Sequence, residues 1–236
     1  MKEKKDTPSW AEYFQRMTKE VSDPTLARFY AAGLPAEDTP LKEVSFVALD
    51  FETTGMDPRQ DEIVSIGLVP FDLKTIRPAQ GAYWLVQPRR QLKPESIAFH
   101  RITDSQLARA PDLDSVLGPL LEALAGRVPV VHYHLIERPF LDAAVRARRS
   151  APCLFPLIDT MELEASRQGS GLLARIRRWL SGRRTSLRLD DVRTRYGLPG
   201  YAGHHAKLDA LATAELFQAQ VAHRYGPETP VGSLWR

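Results

Sequence analysis

The chain has 236 residues, which is enough to bury one substantial α/β core beside a small accessory segment. Its hydrophobic fraction of 43% and charged fraction of 26% are typical of a globular protein, and no apolar run approaches the ~20 residues that span a bilayer. Cys153 is the single cysteine, which excludes an internal disulfide, and no Cys/His pairs have structural-zinc spacing. No apolar segment follows the charged N-terminus, so no secretory signal is expected. The single cysteine leaves the cytoplasm as the default compartment, and no membrane contact is expected.

The net charge of +3 is unevenly distributed. Residues 167–195 contain nine arginines, no lysine and two aspartates, a local charge of 9 − 2 = +7, so the remainder carries 3 − 7 = −4. A basic block on an acidic body indicates a polyanionic partner, and the guanidinium group matches phosphate oxygens in pairs. A solvated surface segment is the alternative. Residues 167–186 are predicted to be a basic insertion that is mobile without substrate, because glycine and serine pairs flank its short apolar stretch.

Residues 1–40 are predicted to form a short N-terminal helical arm packed on the main domain. Trp10, Phe14 and Met17 recur at the spacing of one helix face. Asp23 and Pro24 then indicate the start of a second helix.

The main domain is predicted over residues 41–228, followed by a C-terminal tail at 229–236. Its first three strands are predicted at 44–51, 63–71 and 81–86, and their short links favour antiparallel pairing. Helices and strands then alternate: helix 113–124, strand 128–131, helix 137–148, strand 157–158 and helix 206–225. This order predicts an α/β fold with a mixed sheet.

Two carboxylates, Asp50 and Glu52, end the first predicted strand. Because side chains alternate along a strand, both point to the same face. Adjacent carboxylates repel each other, and a bound divalent cation would remove that cost; hard oxygen ligands suit Mg²⁺ or Mn²⁺. Gly55 follows, where a nucleotide backbone could approach closely. A solvated strand end is the plain alternative.

His204 and Asp209 lie at the start of the last predicted helix. Five residues correspond to about 140° around a helix, so the two share a site only if His204 lies in the preceding loop. A loop histidine near a helical carboxylate suits a mobile general base. His205 is its rival, because it lies four residues before Asp209 on one helix face. A surface histidine pair beside a helix acid would also explain the pattern.

A further acid, Glu137, begins the helix that follows strand 128–131. This carboxylate would be held in a fixed position, because it begins a helix that is joined by a polar loop to a buried strand. As a local feature, it is also a favourable charge in the first turn of a helix.

Together these segments resemble the DEDDh-type 3′→5′ exonucleases, the superfamily that includes the epsilon proofreading subunit of bacterial DNA polymerase III. The similarity covers roughly residues 44–225. The motifs that carry it are Ala-Leu-Asp-Phe-Glu-Thr-Thr-Gly at 48–55, Ile-Val-Ser-Ile-Gly at 63–67, the H-x-I-T element at 100–103, H-x₄-D at 204–209 and its continuation at 212–216.

The resemblance implies a ribonuclease-H-like fold, with a mixed five-stranded sheet and helices on both faces. It implies two Mg²⁺ or Mn²⁺ ions, His204 as general base and a set of metal-binding acids: Asp50, Glu52, Glu137 and Asp209. The implied substrate is the single-stranded 3′ end of DNA or RNA. The resemblance implies that Thr53, Thr54, Met56, His100 and Ile102 bind it. The chemistry of the residues themselves adds Gly55 and the basic-block residues Arg177, Arg178, Arg183 and Arg184.

The second motif departs from the family pattern H-N-x-x-F-D, because residues 132–137 read His-Tyr-His-Leu-Ile-Glu. Tyr133 replaces the asparagine and Glu137 replaces the aspartate. Glutamate keeps the charge and reaches further, so it could bind the second metal directly or through water. Asp142 is the alternative acid, although five residues further along the helix it would face elsewhere.

Three functions fit these features. The leading one is a stand-alone 3′→5′ exonuclease. The second is a catalytically weak nucleic-acid-binding protein, disfavoured by the otherwise intact motif residues. The third is a proofreading subunit bound to a DNA polymerase; residues 227–236 offer little room for a polymerase-binding tail, although the N-terminal arm could serve instead.

Overall fold

The computed structural model describes residues 9–89, 102–167, 186–201 and 203–236. Within them, five strands form one mixed sheet in the order β3-β2-β1-β4-β5. The strands are β1 Phe46–Thr53, β2 Ile63–Phe71, β3 Ala82–Leu85, β4 Val128–Val131 and β5 Ile158–Asp159. β2 is antiparallel to both β1 and β3, whereas β4 is parallel to both β1 and β5. The predicted mixed five-stranded sheet is confirmed.

The helices in the described ranges differ widely in length. They are α1 Trp10–Glu20, α2 Pro24–Ala31, α3 Asp104–Leu107, α4 Leu113–Leu124, α5 Glu137–Arg149, α6 Thr160–Arg167, α7 Leu189–Arg195 and α8 Ala206–Gln220. A π-helical turn, Val221–Tyr225, follows α8, and 3₁₀ turns occur at Leu41–Glu43, Pro78–Gln80 and Val231–Leu234. In the part of the chain that the structure describes, no helix is both long and apolar enough to cross a membrane.

The two faces of β1 bury different helices. Val47, Leu49 and Phe51 belong to one apolar cluster, which contains residues of α1, α2, α4 and α5. Phe46 and Ala48 belong to the other, which contains residues of α8. The alternation along β1 therefore separates two cores, and its even-numbered residues face α8.

The N-terminal arm packs into the first of these cores. Ser9 and Glu12 form a reciprocal capping box at the start of α1, and the Asp23 side chain caps α2, as its position before Pro24 predicts. Phe14 and Met17 are buried as expected from their spacing. The Tyr30 hydroxyl donates to the carbonyl of Pro152 at 2.9 Å, which ties α2 to the segment that precedes β5.

The main differences from the sequence prediction concern the first strand, the last helix and three short helices. β1 begins and ends two residues later than expected, so it includes both carboxylates. The last α-helix ends at Gln220, because its final turn widens into the π-helical turn 221–225. Three helices, α3, α6 and α7, were not predicted; each has eight residues or fewer, too few for a clear periodic pattern.

Candidate active site

Three carboxylates converge where β1 ends and α8 begins. Asp50, Glu52 and Asp209 each offer an oxygen, and these oxygens all lie within 4.8 Å of one another. Asp50 and Glu52 share the even-numbered face of β1, which is the face covered by α8. Asp209 lies in the first turn of α8. Asp50 and Glu52 were predicted to share one face of their strand, and Asp209 lies against that same face.

Gly67 allows this approach. It lies opposite Asp50 in the antiparallel pairing of β1 with β2. A Cβ atom at this position would overlap the backbone of Ala206 and Lys207, the first two residues of α8. Only glycine therefore lets the start of α8 rest directly on β2, which places Asp209 beside Asp50.

The loop before α8 presents the two histidines differently. The backbone N–H groups of His204 and His205 donate to Oδ2 of Asp209 at 2.9 and 3.2 Å. His204 lies in the loop, as the sequence required, and has a left-handed φ of 69°. Its side chain lines the cleft with the carboxylates. The His205 ring instead stacks on Tyr83, with ring centroids 4.3 Å apart.

Glu137 is the first residue of α5 and is only 2% exposed. Its Oε2 atom has no hydrogen-bond partner among the described residues, which is costly for a buried carboxylate. Burial raises its pKa, and the charge of Asp159 adds to that effect. Glu137 lies outside the tight group of three acids, although its charge contributes to the raised pKa of Asp50.

Asp142, the alternative fourth acid, is engaged elsewhere. Its carboxylate accepts from the Arg146 side chain at 2.7 Å and from the backbone N–H of Cys153 at 2.8 Å. It therefore has partners that Glu137 lacks.

A buried aspartate holds the loop that contains the altered second motif. Asp159 accepts hydrogen bonds from the backbone N–H groups of Tyr133 and His134 at 3.1 and 2.9 Å, and from Nδ1 of His134 at 2.7 Å. Tyr133 has a φ of 103°, a region that is unfavourable for a bulky residue. No local signal in the sequence pointed to this role of Asp159.

Negative charge is concentrated in the site. Burial raises the pKa of Asp50, with further contributions from the charges of Glu137, Asp209 and Glu52. Burial and the charge of Asp209 raise the pKa of Glu52 to about 7. Burial also raises the pKa of Asp209, although the amides of His204 and His205 oppose it. Such carboxylates form a donor set that suits hard divalent cations.

The carboxylates open into a cleft of about 220 Å³. Its lining residues are Asp50, Phe51, Glu52, His132, Arg188, Leu189, Asp190, Gly203, His204 and Asp209. Sequence reasoning missed the place of Arg188 and Asp190, which it counted only as charges of the basic block. The two acids at the start of α7 were the available signal, since acids favour the first turn of a helix.

The turn after β1 contains four of the residues expected to bind substrate. The Thr53 hydroxyl donates to the carbonyl of Gly55 at 2.6 Å, and the Thr54 hydroxyl accepts from the N–H of Glu62 at 3.0 Å. A Cβ atom at Gly55 would overlap the Asp61 carboxylate. Met56 is 65% exposed, which is unusual for a large apolar side chain.

The other residues expected to contact substrate are either buried or outside the described ranges. Ile102 is buried in a small cluster with Val64 and Leu107 and does not line the cleft. Several predicted residues lie outside the described ranges: His100, Arg177, Arg178, Arg183 and Arg184, along with most of the basic insertion 167–186.

Two arginines at the end of the basic block are bonded within the protein, a different role from the phosphate contact expected of the block as a whole. Arg193 is 1% exposed and donates to the carbonyls of Ala212 and Pro199 and to the carboxylate of Glu215. Arg195 bonds to the buried Glu164 at 3.3 Å. Arg193 is held inside because carbonyl and carboxylate oxygens accept from both of its terminal nitrogens, although its Nε atom has no partner among the described residues, whereas Arg195 is more exposed.

Comparisons with known proteins match most of the chain. Residues 47–217 match the RNase T family model, which describes an exonuclease. The chain is 30% identical to the DNA polymerase III subunit epsilon of Treponema pallidum (strain Nichols), over 77% of this chain and 79% of that protein. It is also 30% identical to the PolC-type DNA polymerase III of Thermotoga maritima, over 77% of this chain but only 12% of that protein.

A solved structure supports the same fold. The nuclease domain of 3′hExo, a DEDDh family member bound to rAMP, superposes with a TM-score of 0.61 at 18% identity. The match covers 82% of this chain and 97% of that domain. The mixed sheet and its helices are therefore those of the ribonuclease-H-like exonuclease fold.

Proposed function

Because the chain belongs to the DEDDh-type exonuclease superfamily, we propose that it is a metal-dependent 3′→5′ exonuclease. In this proposal it releases nucleoside monophosphates from single-stranded 3′ ends of DNA or RNA. The observation that carries the proposal is the convergence of Asp50, Glu52 and Asp209 within 4.8 Å, in a cleft that His204 also lines.

The acids fit a pair of divalent cations. Asp50, Glu52 and Asp209 supply hard oxygen donors whose mutual repulsion a cation would relieve. Glu137 is the proposed fourth ligand, because its buried Oε2 atom lacks a partner in the described chain. Two Mg²⁺ or Mn²⁺ ions, when bound, would polarise the phosphate and lower the pKa of the attacking water.

His204 is the proposed general base, which takes the proton from the attacking water. Its side chain is exposed and reaches the cleft from a loop, so the imidazole can approach a bound substrate. The hydrogen bond from its backbone to Asp209 couples the position of the base to that of a proposed metal ligand. His205 is a poorer candidate, since its ring is stacked on Tyr83.

The turn after β1 is the proposed pocket for the terminal nucleotide. The exposed side chain of Met56 would pack against the last base, while Thr53, Thr54 and Gly55 would line the sugar. Contacts to base faces and sugars favour action at strand ends with little sequence preference. His100 would complete the pocket, whereas Ile102, buried beside Val64 and Leu107, is not proposed to touch the strand. Arg177, Arg178, Arg183 and Arg184 would contact the phosphates further along the strand.

A second candidate function is proofreading in association with a DNA polymerase. The likeness to a bacterial epsilon subunit over 79% of that subunit favours it. The chemistry would be the same, and the N-terminal arm would be the surface for the polymerase.

Degradation of 5′-labelled strands tests the exonuclease proposal. Single- and double-stranded DNA and RNA are incubated with the protein and Mg²⁺ or Mn²⁺, and we expect a ladder that shortens from the 3′ end. Asp50→Ala should abolish it, because this acid is at the centre of the charge cluster. Asp191→Ala is the matched control, since Asp191 is exposed and does not line the cleft.

Internal cuts, shortening from the 5′ end or full activity of Asp50→Ala would each refute the proposal. Strand binding without any degradation would instead support the catalytically weak binding protein.

A further inference from the structure

We propose that Arg188 binds the terminal phosphodiester of the substrate, with its guanidinium group against the non-bridging oxygens of the linkage that is hydrolysed. This inference rests on the proposed nuclease function and adds the residue that recognises the charge of the reacting phosphate. No motif of the sequence assigned Arg188 to the site.

Arg188 is a positively charged residue in a cleft lined mainly by acids. The described residues that line the cleft include four carboxylates, from Asp50, Glu52, Asp190 and Asp209, and Arg188 is their one permanent cation. An anionic phosphodiester that enters this cleft must approach those carboxylates. A guanidinium group on the cleft wall offsets part of that repulsion and pairs with two phosphate oxygens at once.

The Arg188 side chain is available for this contact. Arg193 and Arg195, on the same short helix, are bonded to Glu215 and Glu164. Within the described ranges, the guanidinium group of Arg188 has neither an ion-pair nor a hydrogen-bond partner, and the residue is exposed. The two arginines further along α7 therefore stabilise the fold, whereas Arg188 faces the cleft without a protein partner.

The backbone beneath Arg188 is fixed on both sides. Nε2 of His132, the residue after β4, lies 2.8 Å from the carbonyl oxygen of Leu187. A carbonyl can only accept, so this nitrogen donates. The carbonyl of Arg188 accepts from Val192 at 2.9 Å as α7 begins, and the buried Arg193 anchors that helix. A side chain on a fixed backbone loses less conformational freedom when it binds a phosphate.

The proposed contact should strengthen during hydrolysis. Water attack adds negative charge to the phosphoryl oxygens, and a cation already in place stabilises that charge better than it stabilises the substrate. Arg188→Ala should therefore lower kcat as well as weaken binding.

Strand binding without turnover tests the contact directly. Ca²⁺ replaces Mn²⁺, gel analysis verifies that a 5′-fluorescent DNA strand stays intact, and anisotropy gives the Kd. We expect Arg188→Ala to raise Kd about 10-fold, the low end for a hydrogen bond to a charged group, and Arg188→Lys to raise it less because the charge is kept. Arg28→Ala, which removes an exposed arginine of α2 outside the cleft, should leave Kd unchanged.

A neutral methylphosphonate locates the contact on the strand. When it replaces the terminal phosphodiester, the effect of Arg188→Ala on Kd should disappear, because the linkage that Arg188 would bind no longer carries a negative charge. When it replaces a linkage several nucleotides upstream, the effect should persist. The same effect on both strands, or no effect on the unmodified strand, would overturn the inference.

The outcomes separate this inference from the function on which it rests. If the wild-type protein binds and degrades strands while Arg188→Ala matches it, the inference fails and the exonuclease proposal stands. If the wild-type protein neither binds nor degrades any strand, the exonuclease proposal fails, and the proposed role of Arg188 fails with it.

Discussion

The two sides of the proposed metal site are built in different ways. On one side, the strand β1 and the helix α8 place three carboxylates within 4.8 Å through ordinary secondary structure and a glycine at their contact. On the other side, Glu137 follows a loop in which Tyr133 has a φ of 103° and Asp159 holds the backbone. One side depends on regular geometry, and the other depends on a tertiary contact.

This difference bears on how each side tolerates change. The regular side follows the family motifs, because Asp50 and Glu52 must point to one face of β1 and Asp209 must lie in the first turn of α8. The loop side has lost the asparagine and the aspartate of the family pattern. Asparagine adopts positive φ more readily than tyrosine, so the hydrogen bonds from the loop to Asp159 compensate for a strained backbone.

The largest effect that we expect in this comparison comes from the histidine on the regular side. His204→Ala should lower kcat by about 10²- to 10⁴-fold, the usual contribution of a general base. His205→Ala should have a much smaller effect, because that ring stacks on Tyr83. Steady-state kinetics on a single strand measures both, and a greater loss for His205→Ala would reverse the assignment.

A smaller effect is expected from the glycine at the contact between β2 and α8. Gly67→Ala should lower the free energy of unfolding by about 1–3 kcal/mol through overpacking and should also reduce activity by moving Asp209. Gly200→Ala is the matched control, since Gly200 is exposed and an added methyl group there meets nothing within 4 Å. It should change the free energy of unfolding by less than about 0.5 kcal/mol.

Chemical denaturation and strand degradation of the two glycine variants check this prediction. A Gly67→Ala protein with wild-type stability and activity would show that α8 can shift without disturbing the site.

Long, periodic elements could be predicted from the sequence. The bounds of α4, β2 and β4 agree with the predicted ones, because each has a clear run of apolar residues between strong turn signals. The short helices α3 and α7 could not be predicted, since their seven residues or fewer carry little periodicity. Their places depend on tertiary contacts such as the buried Arg193.

Some residues of the site could likewise be predicted from local patterns, and others could not. Asp50 and Glu52 follow from strand alternation, and the loop position of His204 follows from helix geometry. The place of Arg188 does not, because the hydrogen bond from His132 to the preceding carbonyl joins residues 55 positions apart. The burial of Arg193 was equally unexpected, since arginine is seldom buried without specific partners.

The central claim is that four carboxylates, one of them on the loop side, hold two divalent cations. Calorimetric titration with Mn²⁺ at pH 8 tests it most directly, because at this pH Glu52, with a pKa of about 7, is mostly ionised in the metal-free protein. Protons should compete with the metal as the pH falls through 7, so binding should weaken by pH 6.

We expect two Mn²⁺ ions per wild-type chain, and loss or marked weakening of one in Glu137→Gln. Asp142→Asn, which alters another acid of α5 that is already bonded to Arg146, should keep both ions. A wild-type chain that binds no Mn²⁺, or a Glu137→Gln chain that binds two as tightly, would contradict the account.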